Sequence, residues 1–281
     1  LKVGANGASM VFDNSMPIGG SGSLMLNHQG GGTTTAINDG RSITFGPNLT
    51  VRGAGSLTAI NGGSFTNQGT ISGDLSTTNA LVVSGSLTSS GTLSAVNGAL
   101  NLTTFTSTGT ISASSGVLNL GGTWSNSGAL TVTSSTVNMS GNWSQTGAIT
   151  TTNSTLNLGG TFTTPGAMTR TGGTVNVTGF LNNSLNTLAL NANTGSWNLV
   201  AVGSKIIGGT ITSADGAKLI VTGANDITTL EGVQLDGTLD GLPDLHRTAI
   251  YRIVQEALTN CSKHAQAKHI RLALYGGTEF I

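Results

Sequence analysis

Charged side chains are scarce in this sequence. Only 8% of its 281 residues are Asp, Glu, Lys or Arg, and the formal net charge is zero, whereas an ordinary soluble domain carries about a quarter charged residues. Binding to nucleic acid or to an anionic membrane needs clustered Lys and Arg, so we expect neither partner. Residues 75–169 contain no Asp, Glu, Lys, Arg or His. Because acid–base catalysis needs titratable groups, that stretch predicts no catalytic site.

Other scarcities narrow the class further. The single cysteine, Cys261, excludes an internal disulfide framework. No run of 18 apolar residues is present, so we expect no transmembrane helix and no membrane insertion. The sequence begins at Leu1 without Met and without a basic segment followed by an apolar one. We interpret it as a mature or excised fragment whose secretion signal is missing.

A short unit repeats through most of the chain. Three 19-residue segments align without gaps: LNLGGTWSNSGALTVTSST, VNMSGNWSQTGAITTTNST and LNLGGTFTTPGAMTRTGGT, which begin at residues 118, 137 and 156. Apolar and polar residues alternate within each unit, which predicts strands with one buried face. A unit of this length fits one turn of a parallel β-helix better than a helix-containing repeat. Stacked turns then form internal columns, one of Trp124, Trp143 and Phe162 and one of Leu118, Val137, Leu156 and Val175.

Glycine extends the repeat towards the N-terminus. It recurs before a strand at Gly147, Gly128, Gly109, Gly91 and Gly69, at intervals that drift around 19 residues. The sequence therefore predicts an all-β solenoid of roughly a dozen turns, which at ~4.8 Å per turn is a rod about 60 Å long.

The Gly-, Ser-, Thr- and Asn-rich units resemble bacterial surface solenoids such as filamentous-haemagglutinin-type adhesins and autotransporter passenger domains. The resemblance covers residues 1–241. It implies a right-handed parallel β-helix, secretion to the bacterial surface, and a role in display or adhesion, with surface glycans or self-association as candidate partners.

The last 40 residues have a different composition. Residues 242–281 hold 8 of the 22 charged residues but only two of the 43 glycines, so we place a domain boundary near Gly241. Apolar residues recur on one face of an amphipathic helix between Arg247 and Ala265, followed by a strand from Lys268 to Tyr275. We expect this helix to cap the last turn. The apolar face consists of Ile250, Ile253, Val254, Ala257, Leu258 and Cys261.

Residues 243–277 resemble the start of the ATP-binding domain of sensor histidine kinases. The motif YRIVQEALTNCSKHA matches the asparagine box of that family, in which the residues matching Glu256 and Asn260 lie beside the nucleotide and those matching Lys263 and His264 lie near the phosphates. The D-x-G-x-G loop that completes such a site does not follow. One helix and one strand cannot enclose a nucleotide, so we expect no ATP binding and no cofactor, and we interpret the tail as a truncated fragment or fusion.

Several other residues were weighed as sites. The lone His28 indicates a surface or structural role, and Cys261 indicates packing. Stacked acids near the C-terminal turns would suit Ca²⁺ or a sugar, although Asp-Gly steps favour turns; these acids are Asp215, Asp226, Glu231, Asp236 and Asp240. The T-x-T pairs at one position of three units predict a flat outward array, as in ice-binding solenoids, although threonine also simply suits exposed strands. That candidate ligand surface is Thr131, Thr133, Thr150, Thr152, Thr169 and Thr171.

The sequence favours a non-enzymatic, extracellular structural or adhesive solenoid. The alternative is a carbohydrate-active or other hydrolytic β-helix enzyme with its site outside residues 75–169, and ice binding is a minor alternative. The distribution of charge decides between scaffold and enzyme, because an enzyme requires charged side chains to converge in a cleft.

Overall fold

The computed structural model describes residues 1–4, 7–27, 34–75, 78–200, 203–221, 228–237 and 254–256. The chain forms two compact units, Leu1–Gly237 and Thr238–Ile281. In the second unit residues 254–256 are helical. The rest of the predicted helix, the strand from Lys268 and the capping role lie outside the described residues. No helix in the described part is long and apolar enough to cross a bilayer.

The first unit is built from 33 short strands. Turns 1 to 4 contain β1 (Lys2–Gly4), β2 (Ser9–Phe12), β3 (Met16–Ile18), β4 (Gly22–Asn27), β5 (Thr35–Asp39), β6 (Ser42–Phe45), β7 (Leu49–Ile60), β8 (Ser64–Asn67), β9 (Thr70–Gly73), β10 (Leu81–Ser84) and β11 (Ser86–Ser89). Turns 5 to 8 contain β12 (Thr92–Val96), β13 (Ala99–Leu102), β14 (Phe105–Ser107), β15 (Ile111–Ser114), β16 (Val117–Leu120), β17 (Thr123–Asn126), β18 (Leu130–Thr133), β19 (Thr136–Met139), β20 (Asn142–Gln145), β21 (Ile149–Thr152), β22 (Thr155–Leu158) and β23 (Thr161–Thr163). The remaining strands are β24 (Met168–Thr171), β25 (Thr174–Val177), β26 (Phe180–Asn182), β27 (Thr187–Leu190), β28 (Trp197–Leu199), β29 (Lys205–Ile207), β30 (Thr210–Ser213), β31 (Leu219–Val221), β32 (Thr229–Glu231) and β33 (Gln234–Gly237).

Each turn contributes one strand to each of three faces, in the order face 1, face 2, face 3. In turn 3 the long strand β7 serves both face 1 and face 2. Every pairing between turns is parallel, and face 3 is an uninterrupted sheet of 11 strands from β3 to β32. The prediction of an all-β parallel solenoid is confirmed, with about 11 turns instead of a dozen.

The interior is a set of columns, one residue from each turn. On face 3 the rings of Phe105, Trp124, Trp143 and Phe162 stack with centroids 5.3, 5.1 and 4.3 Å apart and planes within 8° of parallel. On face 2 the register aligns the buried column Leu118, Val137, Leu156 and Val175. Both predicted columns are confirmed, and they join one continuous core.

Glycine recurs because one corner of each turn has no room for a side chain. Gly109, Gly128 and Gly147 lie between face 3 and face 1, one above the other. A Cβ on Gly128 would lie 1.8 Å from the carbonyl oxygen of Gly109, and one on Gly147 would lie 1.9 Å from that of Gly128. Since backbone cannot yield at such distances, the glycine interval in the sequence reports the stacking of turns.

The regular stack changes after β24. Arg170 occupies an inward position next to Thr151 of the preceding turn, and its guanidinium donates to the carbonyl oxygens of Gly173, Thr194 and Ser196 at 2.7–3.0 Å. Partial burial lowers the pKa of Arg170 below its usual value. Beyond this residue β27, β30 and β33 form a separate three-stranded sheet in the face 1 position. Arg170 therefore joins the 19-residue turns to the longer turns that follow.

Candidate functional site

The six predicted threonines form an array on face 1. The strand register pairs Thr131 with Thr150 and Thr150 with Thr169, and aligns the second members of the pairs in the same way. Five of the six side chains are exposed and Thr152 is half-buried. All six point away from the core because they alternate with inward residues along β18, β21 and β24. The structure thus brings together every residue of the candidate ligand surface.

The array has clear limits along the solenoid. Ser112 and Ser114 of β15 precede Thr131 and Thr133 in register, and the turn before them places Ser94 and Val96 in these positions. Ser94 is buried and Val96 is exposed, so the hydroxyl pattern ends there. At the other end the face 1 sheet itself ends at β24. The array is therefore three threonine turns and one serine turn long.

A shallow polar groove of about 430 Å³ borders this array, at the corner between face 1 and face 2. Ser115, Ser134 and Asn153 occupy equivalent positions on its wall and have left-handed backbone, with φ of 48–51°. Asparagine adopts this conformation more readily than serine does. The groove lies within the charge-free stretch of the chain and its walls carry no titratable side chain, so it offers hydrogen bonds but no acid or base.

The charges of the first unit occur as separated pairs. Arg52 Nε donates to Asp74 Oδ2 at 2.7 Å, and Lys205 Nζ lies 2.5 Å from Glu231 Oε2. Asp74 follows β9 in turn 4 and Lys205 begins β29 in turn 10, so six turns, or about 29 Å, separate the two pairs. Each pair holds a single carboxylate, whereas glycoside hydrolysis ordinarily uses two.

The acids of the last turns do not converge in the part of the chain that the structure describes. Asp215 has φ of 55° in a turn, and its Oδ2 accepts the backbone N–H of Ala192 at 3.1 Å. Asp236 lies in β33, and Glu231 is paired with Lys205. No group of three or more His, Cys, Asp or Glu in the described ranges is placed to bind a metal ion. His28, Asp226, Asp240 and Cys261 lie outside those ranges.

A ladder of asparagine side chains on face 2 was not predicted as such. Each Nδ2 donates to the Oδ1 of the asparagine one turn earlier, at 2.7–2.9 Å, and five such bonds link six consecutive turns. The sequence placed Asn138 on the outward side, and the structure shows that it is half-buried and bonded on both sides. The N-x-hydrophobic step in every unit is the signal. The members are Asn101, Asn119, Asn138, Asn157, Asn176 and Asn198.

Face 3 carries a second outward array of hydroxyl groups that sequence reasoning also missed. Its strands read Ser-x-Thr in β6, β8 and β11 and Thr-x-Thr in β23, with the intervening residue buried. Because several of these strands precede the regular 19-residue units, period alone did not align them.

The kinase-like residues form no described site. Glu256 is exposed at the end of the helical segment 254–256, while Asn260, Lys263 and His264 lie outside the described residues. No family model, curated protein or solved structure matches this chain.

Proposed function

We propose that this chain is a non-enzymatic, extracellular structural and adhesive solenoid of a bacterial surface. Its partners would be surface glycans or further copies of the same protein. The support is physical: a continuous core holds 11 turns in register and presents long polar faces to solvent. A repeat of this kind provides extended binding surfaces without any pocket.

One observation carries the choice of scaffold over enzyme. In the described residues the charged groups of turns 3–4 and turns 10–11 form two isolated ion pairs about 29 Å apart, and the turns between them offer Ser, Thr and Asn. Hydroxyl groups need a nearby base to become nucleophiles. The charge distribution therefore favours recognition over chemical conversion.

Turnover measurements test this choice directly. The purified protein is incubated with a panel of polysaccharides and esters, with and without Ca²⁺, and released reducing ends and acids are quantified. We expect no release above a protein-free blank. Release that Asp74→Asn or Glu231→Gln abolishes would instead identify a hydrolytic site at one of the two ion pairs.

The threonine array on face 1 favours a second candidate function, ice binding. Its hydroxyl and methyl groups repeat at about 4.8 Å between turns and about 6.7 Å along each strand. If the array binds ice, the protein shows thermal hysteresis that Thr150→Lys removes from the middle of the array. Absence of hysteresis in the unmodified protein excludes this candidate.

A further inference from the structure

The outward side of face 3 is a polar, uncharged array that extends over seven consecutive turns. Strand register aligns two columns from β6 to β23. Thirteen of the 14 positions are Ser or Thr, one is Asn, and all are exposed or half-buried. Six steps of about 4.8 Å give an array about 29 Å long. Turn by turn its members are Ser42 and Thr44, Ser64 and Thr66, Ser86 and Thr88, Thr104 and Thr106, Thr123 and Ser125, Asn142 and Ser144, and Thr161 and Thr163.

The array has a rigid support. Directly behind it, the inward residues of the same strands include the stacked rings of Phe105, Trp124, Trp143 and Phe162. The indole N–H of Trp143 donates to the carbonyl oxygen of Gly159 at 2.7 Å, which fixes the ring in its plane. A surface held in this way loses little conformational entropy on binding, which favours affinity.

An aromatic ring marks one end of the array. Phe180 follows Thr161 in register and points outward, because Leu181 beside it is fully buried. It is half-buried, whereas the other aromatic side chains of the described residues are buried in the core. Asn182, which is exposed, lies two residues further along the same strand. The outward side of β26 thus offers an apolar ring face next to an amide.

The chemistry of this face selects a hydroxyl-rich, uncharged partner. Serine and threonine hydroxyls both donate and accept hydrogen bonds, as sugar hydroxyls do. Protein interfaces are depleted in serine and enriched in aromatic residues, Met and Arg, so the array is poorly suited to another protein. A purely ice-binding surface would have no use for the ring of Phe180, whereas a sugar ring has an apolar face to place against it.

Building on the adhesive function proposed above, we propose that face 3 binds an extended neutral polysaccharide that lies along the solenoid axis. Successive sugar units contact successive turns, and Phe180 packs against a ring at one end. Each contact is a weak hydrogen bond to solvent-exposed groups, so affinity comes from their number on one polymer. Because no charge takes part, binding is insensitive to salt.

Two matched double variants test the assignment of the face. Thr88→Lys with Thr106→Lys places two charges on adjacent turns of face 3, and Thr131→Lys with Thr150→Lys does the same on face 1. In each pair the residues are exposed and directly paired, so the cost to the strands is similar. Far-UV circular dichroism melts verify that both variants are folded.

The readout is the fraction of protein bound to microcrystalline cellulose and to chitin, in 0.1 M and 1 M NaCl, with alginate beads as the charged comparison. We expect unmodified protein and the face 1 variant to bind equally at both salt concentrations. The face 3 variant should lose at least 10-fold in bound fraction, and Phe180→Ala several-fold. Failure of unmodified protein to bind either neutral polymer would overturn the inference, as would equal losses in the two double variants or salt-sensitive binding to alginate alone.

The same samples distinguish this inference from the broader function. Reducing ends released into the supernatant would contradict the non-enzymatic proposal while leaving the ligand class intact. Binding to neither polymer, with no release, would overturn the ligand class and leave the scaffold proposal standing.

Discussion

Replacing Trp143 with alanine removes the central ring of the aromatic stack. The indole is 5% exposed, lies between Trp124 at 5.1 Å and Phe162 at 4.3 Å, and donates to the Gly159 carbonyl. Removing a buried tryptophan costs about 3–5 kcal/mol. Two parallel ring contacts and a buried hydrogen bond are lost together here, so we expect about 4–5 kcal/mol in the free energy of unfolding.

Two further variants give this value its meaning. Trp143→Phe keeps a ring in the column, as Phe105 and Phe162 do, and loses the N–H donor, so it should cost about 1–2 kcal/mol. Asn138→Ala removes two bonds of the asparagine ladder at a half-buried position, and should also cost about 1–2 kcal/mol. The structure raises this second value above that of a free surface residue.

Urea denaturation followed by far-UV circular dichroism measures all three variants. A second probe, tryptophan fluorescence of Asn138→Ala and Trp143→Phe, checks that unfolding is cooperative, because neighbouring turns of a solenoid can unfold separately. Equal losses for Trp143→Ala and Asn138→Ala would refute the inside and outside assignment of the strands.

Three other substitutions probe the corners and the interior. Gly147→Ala forces a methyl group against a backbone carbonyl and should cost about 2–3 kcal/mol, whereas Gly121→Ala, whose nearest neighbour is a side-chain oxygen at 3.3 Å, should change stability by less than about 1 kcal/mol; similar effects in urea melts would contradict the stacking geometry. Thr151 is buried with no partner for its hydroxyl, and the turn before places Val132 there, so Thr151→Val should stabilise the protein by about 1 kcal/mol, and a lower urea midpoint would refute this. Arg170→Met retains the stem but leaves three carbonyls without their donor, so a loss of about 2–3 kcal/mol is expected, and an unchanged midpoint would show that water replaces the guanidinium.

Alternation and period were sufficient to predict the fold and its core. Leu118, Val137 and Leu156 share a position in each 19-residue unit, so their burial in one column follows from the sequence. The same pattern placed Thr131 and Thr150 together on an outward strand. These features depend only on which side of a strand a residue lies and on the length of a turn.

Features that depend on contacts between turns were not predictable in the same way. The asparagine ladder requires amide groups of adjacent turns to meet within 2.7–2.9 Å, which a pattern of outward residues does not specify. The bonds of Arg170 reach residues 194 and 196 in the following turn, where the regular unit has ended. On face 3 the turn lengths drift between β6 and β14, so the alignment of Thr44, Thr66 and Thr88 became visible only in the strand register.

Adsorption of the protein to a thin film of neutral polysaccharide on a quartz-crystal microbalance tests the central claim most directly. The instrument follows the mass of the film while protein is added and then rinsed away with 1 M NaCl. A non-enzymatic adhesive solenoid should add mass that remains constant through the rinse, and the Thr88→Lys, Thr106→Lys variant should add little. A film that gains no mass, or that gains mass and then steadily loses its own polymer, would contradict the account.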